Sequence, residues 1–280
     1  MFISEKLVYL ELQKTGSKQI RHLLSQCVPG EQKGKHVRLT EHPSNRLIVG
    51  SIRNPWAWYV SLWAFGCMGR GHLRRRLVER SSSWMESFIN LVVPAAQEGS
   101  IAQHSLLKSM RPKRISHDLW AETYTDPTDT AAFKKWLCLM HDPERAGELS
   151  PGYGQSALHH GVGFFTYRYL RLYARDLSPL STDHGLQDWQ QVRDFDTQQN
   201  ILDYVIRMES LEQDLVRALE LAGYDISVAQ RDELFSSSGA KRNRTGHYPI
   251  SSYYDAETIA WVRSRERLII EKYGYSYDDL

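Results

Sequence analysis

The segment from Lys6 to Leu24, KLVYLELQKTGSKQIRHLL, constrains this chain more than any other stretch. It begins with the apolar residues Leu7, Val8, Leu10 and Leu12, which predict a short strand. A polar turn of Lys14, Thr15, Gly16 and Ser17 follows and leads into a helix. The first N–H groups of a helix have no internal acceptors and point, with the positive end of the helix dipole, into such a turn. An anion, above all a phosphate, is the natural occupant. Lys14 and Lys18 add positive charge, Gly16 lets the backbone approach closely, and Thr15 and Ser17 offer hydroxyls. The same segment taken alone also fits an ordinary strand-to-helix turn with solvated lysines.

The pattern occurs a second time. Leu47 to Ile52 is an apolar run suited to a strand covered on both faces, and it runs directly into Arg53-Asn54-Pro55. Asn54 is a good helix N-cap and Pro55 a good first helical residue, while Trp56, Val60, Trp63 and Ala64 repeat at helical spacing. Strands that alternate with helices imply a parallel sheet, with ligands beyond the carboxyl ends of the strands. Both polar turns are therefore expected on one edge of a central parallel sheet.

Elsewhere the signals are mixed. Lys35 to Leu39 reads as a short strand, and Asp203 to Arg207 as another. Trp84 to Val93, Thr130 to Met140 and Leu158 to Ala174 read as helices, so that residues from about 70 to 196 form a helical insertion packed on the sheet. Ser210 and Gln213 match a capping box before a helix carrying Leu211, Leu215, Ala218, Leu219 and Ala222, with Gly223 as its stop. A polar loop from Ser236 to Tyr248 carries Lys241, Arg242, Asn243 and Arg244, and a closing helix spans Asp255 to Tyr273. Arg70, Arg74, Arg75, Arg76 and Arg80 form a basic cluster that is either a solvated face or a contact for an acidic substrate.

With 280 residues, 41% of them apolar and 24% charged, the chain suits one large α/β domain over residues 1–280. A net charge of +2 is too mild to imply nucleic-acid binding, so any anion preference rests on local clusters. Cys27, Cys67 and Cys138 stand far apart without a CxxC pair, which argues against a zinc knuckle or disulfide framework. No apolar run is long enough for a membrane span and no leader pattern opens the sequence, so a cytoplasmic protein is expected.

The first turn does not match the triphosphate-binding pattern GxxxxGK[ST], because Glu11 stands where its first Gly belongs. The second strand ends at Arg53 and not at an acid that would hold magnesium. The two turns instead resemble the nucleotide signatures of the sulfotransferases that use 3'-phosphoadenosine 5'-phosphosulfate (PAPS). KTGSKQI is similar to that family's 5'-phosphosulfate loop. RNPWAWYVS is similar to its 3'-phosphate signature, with Arg53 and Ser61 at the phosphate-binding positions. VIRMESLEQDL and KRNRTGHYPISSYYDAETIAWVRSRERLIIEKYGY are similar to the family's late strand-helix element and its C-terminal loop and helix. The likeness is to the carbohydrate and bacterial branches, since the RxGxxGxWK loop of the cytosolic branch is absent.

The resemblance implies an α/β fold with a P-loop-like central parallel sheet flanked by helices. It implies a metal-independent transfer of the sulfuryl group of PAPS to a hydroxyl or amine of a carbohydrate or small metabolite. Donor binding falls on Lys14, Thr15, Gly16, Ser17, Lys18, Gln19, Arg53 and Ser61, joined by Arg242 and Asn243 of the C-terminal loop. Lys14 stabilises the leaving oxygen. His36 in GKHVRL serves as the base, with His42 and then Glu11 in reserve. Two departures from the family pattern are Gln13 before the loop lysine, where Pro is common, and Lys18 in place of a hydroxyl residue. They motivate the alternative of a nucleotide-binding module without catalysis, a kinase-like phosphotransferase being a further alternative. His159-His160 is a poor metal motif, because adjacent helical residues point different ways.

Overall fold

The structure, a computed structural model, describes residues 1–39, 41–80, 115–181, 185–236 and 246–280. The expected helix over Trp84 to Val93 and the loop residues Lys241, Arg242, Asn243 and Arg244 lie outside the described residues. The strands are β1 (Phe2–Ser4), β2 (Leu7–Tyr9), β3 (Gly30–Gln32), β4 (Leu47–Ile52) and β5 (Tyr204–Arg207). The helices that position the site are α1 (Ser17–Cys27), α2 (Pro55–Cys67), α3 (His72–Val78), α4 (Thr130–His141), α5 (Phe164–Tyr173), α6 (Trp189–Gln199), α7 (Leu211–Leu221), α8 (Ala256–Arg265) and α9 (Arg267–Tyr273).

The protein is α/β, with one five-stranded mixed sheet in the order β3-β1-β2-β4-β5. Three strands are parallel, Tyr9 aligning with Val49 and Ile52 with Arg207. β1 pairs antiparallel with both β2 and β3, which corrects the expectation of a wholly parallel sheet. These two extra strands have three residues each, and β3 is exposed throughout, so neither carries the long apolar signal of β4. The strand expected at Lys35 to Leu39 does not form; His36 sits there with φ +55°, in the left-handed region.

Side chains alternate across the sheet as strand geometry requires. Leu7, Tyr9, Val49 and Ile206 pack with α1 and α7 on one face. Val8, Leu10, Ile48 and Ile52 pack on the other face with α2, α4, α5 and the closing helices. Between α2 and β5 the described residues carry helices and no named strand. α2 is buried almost all round, and its N-terminus forms as expected: Asn54 Oδ1 accepts from the Trp56 N–H at 3.1 Å, with Pro55 in the first turn. α4 also follows its sequence pattern, with Asp129 as cap and Phe133, Trp136, Leu137 and Met140 inward.

Three expected elements are altered by side-chain chemistry. The run Leu158 to Ala174 is split into a 3-10 turn at Ala157–His160 and α5. The closing helix is split into α8 and α9 at Glu266. The two breaks have a common cause. The Glu266 carboxylate is completely buried and accepts from the Phe165 and Thr166 N–H groups at 3.3 and 2.8 Å, from Thr166 Oγ1 at 2.6 Å, and from the Tyr59 hydroxyl. It thereby caps α5, and a Cβ on Gly163 would fall 2.0 Å from its Oε1. The Ser210 capping box does not form either; Ser210 Oγ donates to Asp214, whose carboxylate also takes the Arg207 N–H at 2.8 Å.

Burial raises the pKa of Glu266, while its four donors oppose that shift. Replacing it by Ala leaves those donors unmatched in the core. Glu266→Ala should lose about 3–5 kcal/mol in urea unfolding, and Glu266→Gln, which keeps one acceptor oxygen, clearly less. Equal stability of the Ala variant and wild type would show that the buried carboxylate does not hold the insertion to the closing helices.

Candidate functional site

The first turn leaves β2 and bends sharply at Lys14, φ +66°, and Gly16, φ +77°. Left-handed backbone at a lysine is strained by about 1 kcal/mol or more and persists only where its surroundings enforce it. Gly16 is required on two grounds, since a Cβ there would also lie 2.4 Å from Met208 Sδ and 2.9 Å from Leu211 Cδ1. Gly16 is the N-cap of α1, no side chain caps the helix, and no acid stands in its first turn. The Gln19 N–H turns back to the Gly16 carbonyl at 2.8 Å, and Gln19 Nε2 binds Glu212 at 3.2 Å. Gln19 is therefore engaged within the protein, and the Ser17 and Lys18 N–H groups are the backbone donors left at the mouth of α1. The Ser17 residue is partly exposed and Lys18 is exposed.

Thr15 departs from the expected role. Its side chain is fully buried, with Oγ1 donating to the Leu12 carbonyl at 2.8 Å and 2.7 Å from Ser51 Oγ. Ser51 in turn meets the Tyr9 hydroxyl at 2.8 Å. The Thr15 hydroxyl thus locks the turn to β4 instead of facing solvent.

The two turns are adjacent because β2 and β4 are neighbouring parallel strands. Arg53 Nη1 reaches the Lys14 carbonyl at 3.5 Å, and Lys14 Nζ lies 4.1 Å from the centre of the Phe65 ring on α2. Among the described residues neither cation forms an ion pair. Burial, and then the repulsion of Arg53, lowers the Lys14 pKa from 10.5 to about 8. Arg53 is itself shifted down by burial, with Glu209 opposing. The Glu209 carboxylate is held by the Asn54 N–H at 2.7 Å and by the Tyr275 hydroxyl at 3.0 Å.

Ser61 is buried in α2, about two turns from the Asn54 cap, and Arg53 reaches back to the first turn. Arg242 and Asn243 lie outside the described residues.

His36 lies beside the first turn. Its Nδ1 is 2.7 Å from the Glu11 carbonyl, which only accepts, so Nδ1 carries the proton and the Nε2 lone pair is free. Although the residue is exposed as a whole, desolvation of its ring and the charge of Arg168 lower its pKa and favour the neutral form. Glu11, a reserve base, is buried and engaged by Arg21 at 3.2 Å and Gln32 at 3.2 Å. His42 is exposed, and no contact draws it to the turns. In the basic cluster, Arg76 binds the carbonyls of Gly147 and Glu148, Arg74 pairs with Glu79, and Arg80 pairs with Asp118.

Sequence reasoning missed Ser51, Phe65 and Trp58. Trp58 donates from Nε1 to the Gln13 carbonyl at 2.7 Å and stacks on Phe165 of α5 with ring centres 4.3 Å apart. Its place in a run of apolar helical residues marks only burial. The side-chain oxygen of Gln13 is buried with no hydrogen-bond partner. Comparison with family models, curated proteins and solved structures returned no match. Among the described residues no helix is long and apolar enough to cross a membrane.

The depressed Lys14 pKa has a definite sign for stability. Between pH 8 and 10.5 the unfolded chain holds a proton that folded Lys14 has lost, so this group's contribution to stability rises with pH across that window. Below pH 8 the charged lysine burdens the fold. Lys14→Met should be more stable than wild type by roughly 1–3 kcal/mol at pH 7, with the difference closing between pH 8 and 10.5. Thermal or urea unfolding across this range checks it; a Met variant less stable at pH 7 would show that the lysine supports the fold.

Proposed function

We propose that this chain is a PAPS-dependent sulfotransferase with a P-loop-like donor site at the two adjacent turns. One observation carries the reading: Lys14 and Arg53 converge at the ends of neighbouring parallel strands without ion-paired carboxylates among the described residues. Two cations with no ion pair, Glu209 acting on Arg53 but held by Asn54 and Tyr275, stand beside the open N–H groups of Ser17 and Lys18 and suit a ligand bearing two separate phosphate groups. The likeness of KTGSKQI and RNPWAWYVS to the family's nucleotide signatures supports PAPS over other bisphosphates. A kinase-like site is disfavoured, since β4 runs into Arg53 and the acid after β5, Glu209, is already held by Asn54 and Tyr275.

Bound there, PAPS would supply an activated sulfuryl group and depart as adenosine 3',5'-bisphosphate. Lys14 would stabilise charge on the departing 5'-phosphate oxygen, aided by the mouth of α1. Arg53 would hold the 3'-phosphate. His36 Nε2 would take the acceptor proton as the acceptor oxygen attacks sulfur, with the Glu11 carbonyl fixing the reactive tautomer. The acceptor would be a hydroxyl or amine compound, carbohydrate or small metabolite. A binding module without catalysis is the second reading, favoured by the inward Thr15 hydroxyl and the departures at Gln13 and Lys18.

Calorimetric titration with adenosine 3',5'-bisphosphate, beside ATP with magnesium, tests the donor site. The bisphosphate should bind preferentially, Arg53→Ala should weaken it at least about tenfold, and affinity should fall above pH 8 as Lys14 loses its proton. Preference for ATP, or indifference to Arg53, would overturn the assignment. With PAPS and an acceptor, His36→Ala should lower turnover by about 10²–10⁴-fold while leaving bisphosphate affinity intact. Binding without transfer in wild type would favour the module.

A further inference from the structure

The Lys14 ammonium meets a ring where most partly buried cations meet an acid. Among the described residues no carboxylate pairs with it, and the Phe65 ring centre lies 4.1 Å from its Nζ. The Lys14 backbone is anchored on both sides. Before it, the Gln13 carbonyl accepts from Trp58 Nε1 at 2.7 Å; after it, the Thr15 hydroxyl is fixed at Leu12 and Ser51.

The ring is placed with equal care. Phe65 stands in the last turn of α2, half-buried between the buried residues Ala64 and Gly66. The chain then returns past it at Gly71, φ +98°, where a Cβ would lie 3.1 Å from Phe65 Cδ1 and 3.3 Å from Cε1. Gly71 therefore serves both its own backbone angle and the close passage beside the ring.

A ring and a carboxylate hold a cation differently. The face of a benzene ring attracts an ammonium through its quadrupole and favours the protonated form, yet carries no net charge. A carboxylate in the same place would cancel the lysine's charge and repel an incoming phosphate. Burial and the charge of Arg53 act in the opposite direction, drawing the proton off Lys14.

We propose that Phe65 is the positioning residue of Lys14: its ring holds the ammonium beside the first turn without neutralising it, so that the full charge meets an incoming phosphate group. That this phosphate belongs to PAPS rests on the sulfotransferase reading; the hold of Phe65 on Lys14 does not.

Phenylalanine bearing one, two or three fluorines, introduced in place of Phe65 alone, keeps the shape of the ring and withdraws the negative charge of its face step by step. Lys14 is followed by NMR titration of isotope-labelled methylated lysines, assigned with Lys14→Arg. The wild-type midpoint should fall near pH 8, and the fluorine series should lower it stepwise by about half a unit or more in total. Calorimetry with adenosine 3',5'-bisphosphate on the unmethylated proteins should follow the same order. Fluorination should weaken binding about twofold or more at pH 8 and hardly at all at pH 6, because only the protonated fraction changes. Unfolding temperatures should match wild type, since no packing volume is lost. A midpoint indifferent to fluorination, or one at the ordinary 10.5, would show that the ring does not hold the ammonium. A midpoint that falls while bisphosphate affinity keeps its pH dependence would overturn the positioning role. Absence of bisphosphate binding in wild type, with the midpoint still falling along the series, removes the donor reading alone and supports the hold of the ring.

Discussion

The Ser51 hydroxyl occupies the point on which the two turns depend. It lies 2.8 Å from the Tyr9 hydroxyl and 2.7 Å from Thr15 Oγ1, joining β2, β4 and the first turn within the sheet. The Tyr173 hydroxyl, from the last turn of α5, accepts from the Ser51 N–H at 3.0 Å and faces the Ser51 carbonyl at 3.1 Å. Each of these groups is buried, so each requires its partner, and a chain of such bonds specifies one arrangement more strongly than apolar packing would. The left-handed backbone at Lys14, φ +66°, directly precedes the residue that this network anchors. The strain at Lys14 is maintained by a polar network about one residue away.

Electrostatics at the site works against the fold. Lys14 and Arg53 repel each other, and both are partly withdrawn from water. Other partly buried cations do have carboxylate partners, as in the Lys272–Asp196 pair at 2.6 Å and the Arg145–Glu148 pair at 3.0 Å. Two cations drawn out of water side by side without an ion pair raise the energy of the fold, and a bound anion would lower it.

The parts legible in the sequence were those governed by short-range rules. The run into Asn54-Pro55 fixed the end of β4 and the start of α2, because strand burial, the N-cap and the first-turn proline agree at consecutive positions. α4 was legible for the same reason. The position of Gly16 was legible, but the fate of Thr15 was not, since an inward and an outward hydroxyl look identical until Ser51 is placed 36 residues away. Ser61 matched a signature by its spacing, yet spacing does not tell whether its face of α2 is buried, as it is. β1 and β3 escaped notice because three-residue strands give no period to detect. The breaks at Glu266 and Gly163 arise from one long-range contact, and either segment alone reads as unbroken helix.

That same contact links the insertion to the site. Glu266 fixes the N-terminus of α5, and α5 presents Phe165 to Trp58, which holds the Gln13 carbonyl at the start of the first turn. Three residues beyond Phe165 on the same helix stands Arg168, and at its far end Tyr173 closes on Ser51. A single ten-residue helix therefore supports the first turn from two directions. Rotation of α5 by a fraction of a turn would move Arg168 and release Gln13 or Ser51 together, because a helix transmits rotation along its length with little internal give. Any difference in the contacts made by the insertion is then felt at both turns. The buried carboxylate at Glu266, through Phe165 and Trp58, thus supports the backbone at the start of the first turn.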